Sequence, residues 1–166
     1  GYLNIARSAD VLQQLKPEEQ SAILKHLGVR GGRGVQAVLK YPPSTAGGIM
    51  TPEALVLKED ATVGEAVKSL ASFPDRRQTD LYVTAADGRL IGKCCVHDLL
   101  GADPGVRLSQ MMQRAPEAIL PERDQEEVRR LVSQGNLRSI PVVGPRGTLL
   151  VVITQDDILD VIAQEA

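Results

Sequence analysis

Aromatic residues are almost missing from this 166-residue chain, which has three Tyr, one Phe and no Trp. Its core must therefore be aliphatic, and a surface for single-stranded nucleic acid would lack the rings on which bases stack. The net charge of -2 removes the basic footprint of a nucleic-acid binder as well, so no nucleic-acid partner is expected. Long apolar runs are scarce too. The longest, Thr148 to Thr154, has the length of a buried strand, far short of the roughly 20 residues a membrane-spanning helix needs. Cysteine is limited to Cys94 and Cys95, adjacent in a strand-like stretch. Successive strand side chains point to opposite faces, so the pair cannot readily chelate one ion and reads as two small core residues in a reducing cytoplasm. His26 and His97 have no companion at metal-ligand spacing, which argues against zinc. No Walker-type loop, G-x-S-x-G elbow or metalloprotease helix occurs, and the chain is not expected to be an enzyme. It carries no signal-peptide pattern and opens with Gly1 rather than Met, which suits a piece of something longer.

What is present is a helical opening and a duplication. "SADVLQQL" puts Val11, Leu12 and Leu15 on one face behind Ser8, and "KPEEQSAILKHLG" starts at Pro17, closes at Gly28 and repeats the stripe with Ile23, Leu24 and Leu27. One more short helix, with Val35, Val38 and Leu39, is expected before Tyr41. From Gly48 the chain repeats itself, and such internal repeats decide fold class ahead of local detail. "GIMTPEALVLKEDATVGEAVKSLA" is echoed by "QMMQRAPEAILPERDQEEVRRLVS", and "DGRLIGKCCVHDLL" by "RGTLLVVITQDDIL". Met50 and Met112 lie 62 positions apart, and Asp98 and Asp157 lie 59 apart.

Each unit is expected to hold a short extended piece, a capped helix, two strands and a closing helix. Thr62 with Glu65, and Asp124 with Glu127, have the spacing of capping boxes. Gly88 and Gly147 mark the turns between paired strands. The fold class is therefore α/β (α+β): two units packed about a pseudo-twofold axis, preceded by a short all-α segment. Between the opening helices and the first unit, "YPPSTAGGIMTPE" places Gly47 and Gly48 among Pro42, Pro43 and Pro52. A flexible pair between stiff flanks reads either as a hinge or as an ordinary linker.

On the residues "IMT", "RSIPVV" and "GTLLVVITQDDILDVI", the duplicated part resembles a tandem pair of cystathionine β-synthase (CBS) domains over Gly48 to Glu165. The junction "YPPSTAGGIMTPE" is similar to that of MgtE-type magnesium transporters, where a cytosolic helical domain meets the CBS pair. The resemblance implies a partial helical N domain at 1–41, a hinge at 42–52, CBS unit one at 48–103 and CBS unit two at 104–166. It further implies a Mg2+-sensing module on the cytoplasmic side of the inner or plasma membrane, homodimeric through its CBS domains and partnered with a transmembrane pore domain. The alternative is a free-standing CBS protein that binds adenine nucleotides and has no metal role.

Two sets of site residues follow. Asp157 and Asp160 share a helix face beside Asp156, while Glu126 and Glu127 open another helix, and like charges at such spacing are relieved by a cation. Oxygen donors without His or Cys suit Mg2+ or Ca2+. The plain alternative is acids favoured by a helix dipole. The resemblance implies that Glu126, Asp157, Asp160 and Glu165 take part in magnesium binding, with the Gly47 carbonyl in reach. Asn136 stands where the family has an acid, a neutral oxygen in place of a charge. In the second set, the resemblance implies ATP or AMP in a cleft. Asp98 and Asp157 would hold ribose, Thr154 phosphate, and His97, Leu137 and Pro141 would stand around the nucleotide. Cys95 replaces the usual Ser or Thr, and Asp80 and Leu137 stand where an aromatic could flank adenine.

Overall fold

The structure, a computed structural model, describes residues 11, 12, 14–26, 39–42, 44–49, 54–73, 79–114, 116–135, 137–156, 158 and 159. Its elements in chain order are α1 (Pro17–His26), α2 (Ala46–Ile49), β1 (Val56–Lys58), α3 (Val63–Ser72), β2 (Asp80–Thr84), β3 (Leu90–Cys95), α4 (Val96–Gly101), α5 (Leu108–Met111), β4 (Gln113–Arg114), α6 (Gln125–Gly135), β5 (Ser139–Val143) and β6 (Leu149–Thr154). The mixed α+β repeat expected from the sequence is thus present: α3, β2, β3 and α4 of the first copy return as α6, β5, β6 and the helical turn after Thr154.

In the first repeat β1 lies parallel to β2, β2 antiparallel to β3, and β3 antiparallel to β4. The second has the hairpin β5–β6, and a single parallel bridge from Ile119 to Val142 stands where the first has β1. Both hairpin turns need a residue in left-handed backbone, supplied by Gly88 at φ 88° and Gly147 at φ 77°. The two helices are capped differently. Thr62 and Glu65 form the full reciprocal box, with the Glu65 N–H donating to Thr62 Oγ1 at 3.3 Å and the Thr62 N–H to Glu65 Oε2 at 2.8 Å. On α6 the Asp124 carboxylate accepts from the Glu126 N–H at 2.8 Å, while Glu127 turns to Arg123 at 3.5 Å.

The chain divides into two compact units that do not follow the repeat boundaries. One comprises 1–53, 119–142 and 150–166; the other comprises 54–118 and 143–149. Hydrogen bonds explain the division, because each repeat's lead-in docks on the other repeat's helix start. In one unit the Ala46 N–H donates to the Arg123 carbonyl at 2.7 Å, Gly47 to Pro121 at 2.8 Å and Gln125 to Ser44 at 2.9 Å. In the other, Leu108 donates to Ala61 at 2.9 Å, Ser109 to Glu59 at 3.2 Å and Val63 to Val106 at 2.8 Å. Shifted by the 62-residue repeat, each bond of one set becomes a bond of the other. The cores agree. Leu12, Ala46 and Ile49 pack with Ile119, Val128, Ile140, Val142, Val151, Ile153 and Ile158, whereas Leu108 and Met112 join Leu55, Val63, Leu81, Val83, Cys94 and Leu99.

Several expectations change. Gly47 and Gly48 are buried within α2, and among the described residues the positive-φ glycines are Gly88 and Gly147, so Gly47 is not used for freedom of backbone angle. It is used for closeness: a Cβ there would overlap the Tyr41 ring, reaching Cδ2 at 2.6 Å and Cβ at 2.7 Å. Of the expected helical stripes, Leu12 is buried, but Val11 and Ile23 are exposed. Leu24 has no described side chain, and Leu27, Val35 and Val38 lie outside the described residues. Of the two cysteines expected in the core, Cys94 is buried there but Cys95 is exposed, because successive strand side chains take opposite faces.

Candidate functional site

Within the unit that holds most of the second repeat, Glu126 sits in the first turn of α6, its backbone N–H fixed by the Asp124 carboxylate at 2.8 Å. Its own carboxylate is exposed, and Oε1 lies 2.7 Å from Arg129 Nη1, one helical turn on. Gly47 is in the same unit, its N–H bonded to Pro121, and the lead-in runs beside the start of α6 through the Thr45–Asp124 bridge. Asp157, Asp160, Glu165 and Asn136 lie outside the described residues. Among the described residues no three His, Cys, Asp or Glu side chains gather closely enough to hold an ion. The donor that is described fits a hard cation keeping most of its water, being an exposed carboxylate on a fixed backbone.

The nucleotide candidates fall into two equivalent corners, one in each unit. In the first repeat β3 ends at Cys95 and α4 begins, with His97 and Asp98 both exposed in its first turn. The Val96 N–H donates to the Thr79 carbonyl at 3.0 Å, tying this junction to the residue before β2. In the second repeat β6 ends at half-buried Thr154, and the Gln155 N–H donates to the Arg138 carbonyl at 2.9 Å. That bond brings Thr154 to the same end of the hairpin as half-buried Leu137, while buried Pro141 lies within β5 and its carbonyl accepts from Ile119. Shifted by 59 residues, one junction bond becomes the other. Beneath the first corner, burial and the Asp98 charge push the Cys94 thiol up to about 11.

Sequence reading missed Arg129. Its spacing of three from Glu126 on a helix is the signal that could have found it.

The CBS-domain model matches residues 46–105 and 108–164. The chain belongs to the CBS-domain family. It is 36% identical over 163 residues to the magnesium transporter MgtE of Thermus thermophilus, covering 95% of this chain and 36% of that protein. It is 30% identical over 160 residues to the magnesium transporter MgtE of Bacillus subtilis, with the same coverages of 95% and 36%. The chain thus spans about a third of the length of these curated relatives. A solved structure of the cytosolic domain of the Mg2+ channel MgtE in complex with ATP superposes with a TM-score of 0.85 at 34% identity, covering 96% of this chain and 66% of that one. Among the described residues, no helix of this CBS protein is long and apolar enough to cross a membrane.

Proposed function

We propose that this chain is the cytosolic regulatory segment of an MgtE-type magnesium transporter, and that magnesium draws its N-terminal helices toward the CBS pair and so closes a pore domain in the inner or plasma membrane. The observation that supports it is that likeness to the MgtE transporters covers 95% of the chain, taking in the N-terminal helical segment as well as the CBS repeats. Glu126, Asp157, Asp160 and Glu165 would hold the ion, with Asn136 and the Gly47 carbonyl as neutral oxygens, most contacts passing through water. When bound, the ion supplies the positive charge that relieves repulsion among these acids. A ligand moves such an equilibrium only by binding the closed arrangement better than the open one. Sensing an abundant ion calls for weak sites, and a Kd of about 1 mM corresponds to only about 4 kcal/mol.

Small-angle scattering tests this. The radius should fall between chelator and excess magnesium, and Asp157→Ala with Asp160→Ala should abolish the change while leaving the fold intact. An unchanged wild-type radius overturns metal-driven closure. The segment would also form a homodimer through its CBS helices. Leu100 and Leu159, equivalent residues of the two repeats, are 68% and 54% exposed. Light scattering showing monomer alone at high concentration would overturn the dimer.

A second reading, adenine-nucleotide binding, is favoured by the ATP complex of the similar MgtE domain and by the two equivalent strand-to-helix corners. A carboxylate accepts from two ribose hydroxyls, whereas a thiol is a poor partner. In calorimetry with ATP and AMP, Asp98→Ala should therefore weaken binding more than Cys95→Ala. Equal losses, or no binding, would remove this role.

A further inference from the structure

Of the four carboxylates proposed to hold magnesium, Glu126 is the one among the described residues, and it already faces a cation. Arg129 Nη1 stands 2.7 Å from Glu126 Oε1, the distance of a charge-assisted hydrogen bond. The two ends differ in freedom. The Glu126 side chain is 66% exposed and the Arg129 side chain 28% exposed, so the guanidinium is carried on a partly covered stem. The root of Glu126 is fixed as well, by the bond from its N–H to Asp124.

We infer that Arg129 is a tethered competitor for the cation: its guanidinium holds the Glu126 carboxylate when magnesium is scarce and so raises the magnesium concentration at which the site fills. This rests on the magnesium reading above. A carboxylate that gives its oxygen to a guanidinium must release it, or share it against a nearby positive charge, before a hydrated divalent ion can settle there. The competitor is covalently attached one helical turn away, so its local concentration is constant and only the free ion varies. Arginine also keeps its charge at all physiological pH values, so the competition is constant there, which a lysine or histidine in a shifting environment would not guarantee. The neighbouring pair is weaker, since Arg123 Nη1 lies 3.5 Å from Glu127 Oε2. Arg130 is exposed and has the same charge one position along α6, which makes it the natural control.

Exposed helical pairs are weak, so releasing Glu126 should shift the magnesium midpoint by roughly two- to five-fold. The experiment is an NMR titration of the 166-residue chain with MgCl2, following the amides of Glu126 to Arg130 and the Arg129 side-chain Nε–Hε signal. In the unsubstituted chain the Arg129 signal should move together with the Glu126 amide as magnesium is added. Arg129→Gln should fill at two- to five-fold lower magnesium, Arg129→Lys should fall between it and wild type, and Arg130→Gln should shift the midpoint by less than half as much. Magnesium binding in wild type with a stationary Arg129 signal overturns the inference alone. So does an equal shift in Arg129→Gln and Arg130→Gln, which would mark general charge repulsion. No response of wild type to magnesium overturns both this inference and the magnesium reading. The Arg129 signal is read without substitution, so a variant that fails to fold does not remove the test.

Discussion

Tyr41 lies against Gly47 so closely that a methyl group at 47 would have to displace the ring. Gly47→Ala should therefore destabilise the protein by about 1–3 kcal/mol, the usual cost of forcing extra volume into a packed site. In a double-mutant cycle by urea unfolding, Tyr41→Ala should remove most of that penalty, because the methyl then has space. Additive effects would place the strain elsewhere. The sequence shows two glycines among prolines and nothing of the ring that approaches them, since a close contact leaves no mark on spacing. The cysteines were half legible: alternation along a strand separated them, but Cys95, expected in the core with Cys94, is exposed. Iodoacetamide at pH 8 should label Cys95 in the native protein and spare Cys94, which becomes reactive on unfolding. The Cys94 thiol is raised from 9.0 to about 11 by burial and then by Asp98. Above pH 9 the unfolded chain thus holds fewer protons than the native one, so this group's contribution to stability is complete below about 9 and is lost as pH rises toward 11. Cys94→Ala should flatten the fall in denaturation midpoint across that window.

At the level of single elements, the starts of α3 and α6 were legible as Thr62 with Glu65 and Asp124 with Glu127, yet only the first closes as a reciprocal box. Thr62→Ala should cost about 1 kcal/mol, as should Asp124→Ala, each exposing an N–H of the first turn. Glu65→Ala should cost more than Glu127→Ala, because Glu65 satisfies a backbone donor and Glu127 faces only a loose, exposed arginine. Thermal unfolding of the four variants would check the order. Glu127 pairs instead with Arg123, four positions back, while the starts of α3 and α6 each carry a lead-in bridge, Thr62–Arg107 and Thr45–Asp124, a long-range pairing that no local window reveals. The same limit governs the opening helices. Period alone grouped Val11 with Leu12 and gave Ile23 a buried role, but burial depends on what packs against a face, and here Leu12 meets a core built largely from the second repeat.

For the molecule as a whole, the duplication was plain in the sequence, and with it the mixed α+β class. The candidate metal residues were carried by likeness to a family. Their basic neighbour Arg129 was legible by spacing but invisible to a search for acids. The partition into compact units was not legible, because hydrogen bonds between a lead-in and a distant helix start have no periodic trace. That exchange has a consequence for cutting the chain. A break at the repeat boundary, between Asp103 and Pro104, would leave each half carrying the strip that completes the other. Fragments 1–103 and 104–166 should therefore be poorly ordered alone by circular dichroism and recover a cooperative transition when mixed, whereas two independently stable halves would show no gain. Fragment complementation at this break would make the protein a two-part reporter, in which each piece is useless until it meets its counterpart.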